Sequence, residues 1–259
     1  MSQLANILID DFTETLLPFE AVGLAEINAA RLMNRVDHKF VLNKNQLLKA
    51  IPDLYNNYFI LNIAGVHNQH YSSTYFDTYD LAMYHAHHNQ RLNRHKIRQR
   101  TYNTSGDSFL EIKHKNNKGV TNKKRHKVSG ELSHIPYGFF DFVISNTRYH
   151  PMALQPVMKN EFYRFTLVNK TMTQRVTIDT RLKFHQNDNE ISLPELVVAE
   201  IKSIRGNIDT TLFSVFNKQG LKPSGMSKYA IGMAMLNPAL KQNLFKQKIN
   251  YLKQFGYDA

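Results

Sequence analysis

Lys96, Arg98 and Arg100 alternate along the stretch RHKIRQRTY at 94–102, with Ile97, Gln99 and Thr101 between them. Successive side chains of an extended strand point to opposite faces, so these cations and Tyr102 share one face. Guanidinium and ammonium groups gathered in this way suit phosphate oxygens: arginine is a planar two-pronged fork, lysine a compact point charge. The alternation recurs along the chain. In SFLEIKHK (108–115), Glu111, Lys113 and Lys115 stand against Leu110 and Ile112. In TQRVTIDT (173–180), Arg175, Thr177 and Asp179 oppose Val176 and Ile178, and in VVAEIKS (197–203) Glu200 and Lys202 oppose Ala199 and Ile201. Arg35, Asp37 and Lys39 oppose Val36, His38 and Phe40 in RVDHKFVL (35–42), and Arg164 stands opposite Tyr163 and Phe165 in EFYRFTL (161–167).

Two arrangements accommodate this pattern. An open sheet with helices on its apolar side leaves the charges in water. A barrel with its apolar side outward would gather them inside. Like charges repel across neighbouring strands about 5 Å apart, and burying unpaired ions costs several kcal/mol each. Such a barrel therefore needs a wet bore holding an anionic guest, such as a chain of phosphates. Glu200 then has two readings. It holds a divalent cation that bridges phosphate oxygens, or it pairs with a neighbouring lysine or arginine.

These residues need strands to carry them, and the chain supplies candidates at 36–42, 71–78, 94–102, 108–115, 121–128, 157–168, 173–180 and 195–203. NTSGD and NNKGV are hairpin-like connectors, and HQNDNE at 185–190 reads as a loop. Helices are expected over much of 1–34, where Val22, Ala25, Ala29 and Leu32 have helical spacing. Others are expected within 131–148, over 209–218, from about Ser227, and over 240–255, a lysine-rich amphipathic stretch. Strands in hairpin order with helices at both ends predict an antiparallel α+β fold, closed into a barrel to remove exposed edges. With no repeat, low-complexity tract or linker, the 259 residues read as one domain.

Composition narrows the partners. A net charge of +12 calls for an anion: nucleic acid, an anionic membrane surface or a phosphate-rich molecule. The absence of cysteine excludes disulfides and thiolate metal sites. Acidic residues stand where a secretory signal would be basic, and no window approaches the roughly 18 apolar residues of a membrane span. The expectation is a soluble, cytoplasmic protein. There is no G-x-x-x-x-G-K phosphate loop and no Ser-His-Asp set in a useful context.

The ordered set RVDHKFVL, YFDT, KIRQRTY, FLEIKHK, EFYRF, QRVTIDT, VAEIK and GMSKYAIG, running from about Leu24 to Leu236, resembles the polyphosphate polymerase domain of the vacuolar transporter chaperone (VTC) complex. That domain belongs to the triphosphate tunnel metalloenzyme (CYTH-like) superfamily. The resemblance implies an eight-stranded antiparallel barrel, a tunnel with a charged interior and flanking helices. It implies that Lys39, Arg98, Arg100, Lys113, Arg164 and Arg175 contact substrate phosphates, that Ser227 and Lys228 open a late helix at the site, and that Glu200 binds a divalent metal, Mn2+ or Mg2+. The implied reaction passes the terminal phosphate of ATP to a growing polyphosphate chain, with pyrophosphate, triphosphate or polyphosphate as the other ligands. The hydrolase branch carries E-x-E-x-K on its first strand. Arg35, Asp37 and Lys39 occupy that stretch here, which favours the polymerase branch and leaves metal binding mainly to Glu200, with Asp37 the weaker second. An inorganic triphosphatase using the same tunnel and a non-catalytic polyphosphate- or nucleotide-binding module are the alternatives. Membrane and phosphate-sensing parts of the eukaryotic complex are not in this chain, so coupling to transport would need a membrane-protein partner.

Three features lie outside this set. His85, His87, His88 and His95 are spaced for a metal, but nothing supplies a firm fourth ligand, so a polar loop is the alternative. NKKRHK (122–127) reads as a strand at a tunnel mouth or as a nucleic-acid patch, and a bore too narrow for a duplex argues against specific nucleic acid. The tail at 240–255 packs on the barrel, or touches a partner or an anionic membrane.

Overall fold

The computed structural model describes residues 12–29, 35–206 and 208–256. Expectations for 1–11 and 30–34, including a helical position at Leu32, lie outside the described residues. The strands are β1 (Glu20–Val22), β2 (Arg35–Asn43), β3 (Tyr58–Leu61), β4 (Gln69–Thr78), β5 (Arg94–Tyr102), β6 (Asp107–Lys115), β7 (Thr121–Val128), β8 (Leu154–Asn169), β9 (Gln174–Gln186), β10 (Asn189–Leu193) and β11 (Leu196–Ile204). The helices are α1 (Thr13–Leu16), α2 (Leu24–Ala29), α3 (Lys44–Ala50), α4 (Ala82–His88), α5 (Phe140–Ile144), α6 (Thr211–Lys218), α7 (Lys228–Leu236) and α8 (Lys246–Leu252). The fold is α+β, with a large and mostly antiparallel sheet.

The expectation of a closed eight-stranded barrel is corrected. Eleven strands form one sheet among the described residues, and its hydrogen-bonded path β2-β11-β9-β8-β4-β5-β6-β7 has two ends that do not pair with each other. β1 and β3 are parallel partners. The loop expected at 185–190 is instead a hairpin: β10 returns antiparallel along β9 from Asn189↔Gln186 to Leu193↔Leu182, and Asn187 takes the positive φ that the tight turn needs. The expected 240–255 helix is a 3-10 turn at Asn243–Phe245, then α8, then another 3-10 turn at Lys253–Phe255. Only one short helical segment can form where Gln and Asn interrupt a sparse apolar stripe.

Two compact units make up the chain, and β8 and β9 run through both. The first contains the described residues up to Asn68 with Arg164–Asp179 and Val197–Gly225. Its core is the apolar side of the alternating strands: Phe40 and Leu42 of β2, Phe165 and Leu167 of β8, Val176 and Ile178 of β9, Ala199 and Ile201 of β11, packed on Leu47, Leu212 and Phe216 of the helices. β2 ends at a capping box. Asn43 Oδ1 accepts from Gln46 N–H at 2.7 Å and Gln46 Oε1 accepts from Asn43 N–H at 2.9 Å, which starts α3.

The second unit contains Gln69–Tyr163, Thr180–Leu196 and the residues from Met226 on. β4, β5, β6 and β7 form an antiparallel meander in which Thr74↔Gln99, Arg98↔Glu111 and Glu111↔Arg125 face each other. α7 is buried from Tyr229 to Leu236. A Cβ on its Gly232 would stand 2.6 Å from both Met158 Sδ and Phe184 Cδ1, so only glycine lets the helix approach that closely. The cluster His85, His87 and His88 lies on α4 and not on a loop. Asp77 begins that helix, its carboxylate accepting from Met83 and Tyr84 N–H at 2.9 Å each. The rings of His87 and His88 pack on Phe245, and His88 Nε2 accepts from Leu244 N–H at 3.4 Å, which holds the C-terminal segment. Among the described residues no group of three His, Cys, Asp or Glu could hold a metal. Nor is any described helix long and apolar enough to cross a membrane.

Candidate functional site

In the second unit the charged face of β5, β6 and β7 carries Arg98 and Arg100, then Glu111 and Lys113, then Lys123 and Arg125. Glu111 has a side chain 0% exposed and binds Arg98 twice, accepting from Nε at 2.9 Å and Nη2 at 2.6 Å. It also pairs with Lys123. Burial alone would raise its pKa, but the guanidinium groups of Arg98 and Arg100 and the Lys123 ammonium outweigh burial and hold it far below the usual carboxylate range. Lys113 stands opposite Lys96 on one side and Lys123 on the other. It forms no hydrogen bond or ion pair with a described residue. The Arg98 charge first, then burial, then Arg100 and Lys123, push its pKa well below the ordinary lysine value. This ammonium has been gathered among cations with only the Glu111 charge to offset them.

Arg100 donates to Ser73 Oγ at 3.1 Å, and its guanidinium lies 5.5 Å from the Tyr71 ring and 5.4 Å from the Phe162 ring. The Lys228 ammonium lies 4.7 Å from the centre of the same Phe162 ring. Ser227 caps α7, its Oγ accepting from Ala230 N–H at 3.2 Å and from Lys96 Nζ at 2.8 Å. The structure thus places Arg98, Arg100 and Lys113 on one face of adjacent strands and sets Lys228 on the ring that Arg100 also uses.

In the first unit Glu200 pairs with Lys39 at 2.8 Å and with Lys202. Lys202 also reaches Asp37 at 3.5 Å, and Asp37 meets Arg35 at 3.2 Å. Burial would raise the Glu200 pKa, but Lys39 and Lys202 outweigh it and keep the carboxylate ionised far below its usual range. On β9, Arg175 and Thr177 stand beside Lys202 and Glu200 in register. Arg175 donates to the Ile27 carbonyl at 2.9 Å. Arg164 makes a two-pronged pair with Asp179, with Nη2 to Oδ2 at 2.8 Å. Lys39 and Glu200 are joined directly, whereas Arg164 and Arg175 hold separate partners.

A divalent cation would find Glu200 enclosed on this face, with Asp37 linked to it through Lys202, while the more buried Asp179 is held by Arg164. Two acids already engaged by lysines do not make a closed metal cage. The donor set fits a cation whose remaining positions are filled by phosphate oxygens, which would draw the lysines away from the carboxylate. Glu111, Lys123, Lys202 and Asp179 were not among the expected site residues. Their signal was an acid or base in phase with the alternating cations, and register alone revealed which ones pair.

The model of the VTC domain matches residues 34–136 and 142–237, more than half of the chain. The chain belongs to the VTC domain family. No curated protein matches this VTC domain. Solved structures are similar to it, three of them as follows. One is a candidate adenylate cyclase from Vibrio parahaemolyticus, 10% identical, covering 76% of this chain and 96% of its own, with a TM-score of 0.44. Another is the PH1819 protein from Pyrococcus horikoshii, 10% identical, covering 77% and 96%, with a TM-score of 0.42. The third is HpAC1 from Hippeastrum, described as a candidate adenylyl cyclase with a dominant triphosphatase activity. It is 11% identical, covers 79% of this chain and 97% of its own, and has a TM-score of 0.47.

Proposed function

We propose that this VTC domain is a metal-dependent polyphosphate polymerase that uses ATP. The observation that carries the reading is the excess of cation over acid on β5, β6 and β7. Arg98, Arg100, Lys113 and Lys123 gather around the single carboxylate of Glu111, and Lys113 forms no ion pair with a described residue. A chain of phosphates supplies the missing charge without needing a shape-specific pocket. In this reading Arg98, Arg100 and Lys113 bind phosphates, Lys228 adds charge beside Arg100, and Ser227 holds the start of α7 and orients Lys96. Lys39, Arg164 and Arg175 bind phosphate in the first unit, and Glu200 holds a Mn2+ or Mg2+ ion. The ion, when bound, supplies charge neutralisation to the oxygens of the transferring group.

The reaction is a displacement at phosphorus. A terminal oxygen of the polyphosphate chain forms a bond to the γ-phosphorus of ATP, the bond from that phosphorus to the β–γ bridging oxygen breaks, and ADP leaves with the electron pair. The attacking oxygen is already ionised, so no strong general base is needed. Catalysis falls to positioning and to neutralising charge on the equatorial oxygens. Arg35, where the hydrolase branch carries an acid, supports transfer to phosphate over transfer to water.

Purified full-length protein incubated with ATP and Mn2+ should yield ADP and a ladder of phosphate polymer, read by gel and phosphorus NMR. Glu200→Ala should lower that activity by at least about a hundredfold with an unchanged circular dichroism spectrum. Orthophosphate as the only new phosphorus product would overturn the reading in favour of a triphosphatase. Salt-dependent polyphosphate binding without turnover in any divalent metal would make the chain a binding module.

A further inference from the structure

The opposite face of the same strands holds a second set of groups. His95 of β5, Ile112 and His114 of β6 and Asn122 and Lys124 of β7 alternate with the cations described above. Together with Ser145, Asn146, Thr147 and Arg148 they line a cavity of about 410 Å3. That volume is within the range of small-molecule sites. No acid is among these lining residues. The His95 and His114 rings stack in parallel with centroids 4.4 Å apart. His114 Nε2 is already held by Asn93 Oδ1. His95 is only 8% exposed, and its Nδ1 is buried without a hydrogen-bond partner. Buried polar atoms are normally satisfied, and His95 is the lining residue that keeps one without a partner among the described residues. Lys124 is exposed and makes no ion pair or hydrogen bond with a described residue. The Arg148 guanidinium lies beside Tyr149, 5.3 Å from the ring centre, with Nη2 donating to the phenol oxygen at 3.3 Å.

We infer that this cavity is a second phosphate-binding site, behind the polymerising face, for orthophosphate or the phosphate of a small phosphomonoester. Lys124 supplies a point charge, Arg148 a fork, Ser145 a hydroxyl, and His95 an imidazole in the wall that adds positive charge when protonated. A metal is disfavoured because the cavity offers two imidazoles and no carboxylate. The groups facing His95 are His114 from β6, Asn122 and Lys124 from β7, and Arg148 and Tyr149 from the segment after α5. Burial, then the charges of His114 and Arg148, lower the His95 pKa to about 4. A bound anion opposes those effects and raises that pKa.

The test follows the histidine ring resonances of the full-length protein by 1H–15N NMR during titration with orthophosphate, pyrophosphate and glycerol phosphate, with chloride at constant ionic strength as the control. The inference expects saturable shifts of the His95 and His114 signals with orthophosphate or glycerol phosphate. It expects binding at least tenfold weaker in Lys124→Ala/Arg148→Ala, whose two side chains are exposed. Preference for orthophosphate assigns a free anion, and preference for glycerol phosphate assigns an ester. Glu111→Gln, on the other face, should leave these shifts in place in protein that remains folded. Histidine signals that do not move, move equally with chloride, or respond unchanged in the double variant overturn the inference. None of these results bears on the polymerase assay.

Discussion

Glu111 sits at 0% side-chain exposure against Arg98 and Lys123, and its neutralisation would leave buried cations without a counter-charge. Glu111→Gln should therefore destabilise the ligand-free protein by about 3–5 kcal/mol, read by urea denaturation, with polyphosphate restoring part of the loss. The pH dependence has a definite sign. The native pKa of Glu111 is depressed, so its contribution is full above the ordinary glutamate range and declines as the pH falls below it, until the native value is passed. Denaturation midpoints measured downward from neutral pH should fall less steeply in the Gln variant. Lys113 gives the opposite case. Its depressed pKa means that the folded state resists its charge, so Lys113→Met should raise the midpoint of the ligand-free protein. The same change should weaken polyphosphate binding by about tenfold, because it removes a phosphate contact worth about 1.5 kcal/mol. A variant that is less stable and binds unchanged would show that Lys113 packs and does not bind.

At the scale of the element, α7 joins the sequence motif GMSKYAIG to the site. Ser227 starts the helix, Lys228 projects to Phe162, and Gly232 lets the helix lie against Met158 and Phe184. Gly232→Ala removes a helix-weakening residue but pushes a methyl into contacts of 2.6 Å, and overpacking of that kind costs about 1–3 kcal/mol. We expect a net loss of thermal stability with weaker ATP binding, because α7 and Lys228 must shift together. A neutral or stabilising Ala would mean that Met158 and Phe184 yield freely. The helix start was legible, since a serine before a continuous apolar run is a familiar cap. α4 was not: its cap comes from Asp77, which precedes the helix by several residues, and its histidines have no apolar stripe of their own.

At the scale of the whole molecule, a net charge of +12 makes anion binding strongly salt dependent. Polyphosphate affinity should fall by about tenfold or more between roughly 50 and 200 mM salt, as measured by fluorescence competition, because bound cations and phosphates both shed counter-ions. Affinity insensitive to salt would contradict a reading in which charge, not shape, holds the substrate. The cation row was legible residue by residue because strand periodicity leaves no freedom about which side chains share a face. The sheet around it was less so. Short strands such as β1, β3 and β10 contain too few residues for alternation to stand out from chance.

Local geometry therefore made the sequence sufficient for one thing: the faces. Arg98 with Arg100, Glu111 with Lys113, and Glu200 with Lys202 share sides because the extended backbone repeats every two residues. The partners needed the folded chain. That Glu111 is shared by Arg98 and Lys123, that Lys113 forms no ion pair with a described residue, and that His95 lines a cavity behind the cations depend on register across β5, β6 and β7. The path likewise remained open from β2 to β7. Register and closure come from pairing between distant segments, and those energies are summed over whole strands, so no single stretch of residues encodes them.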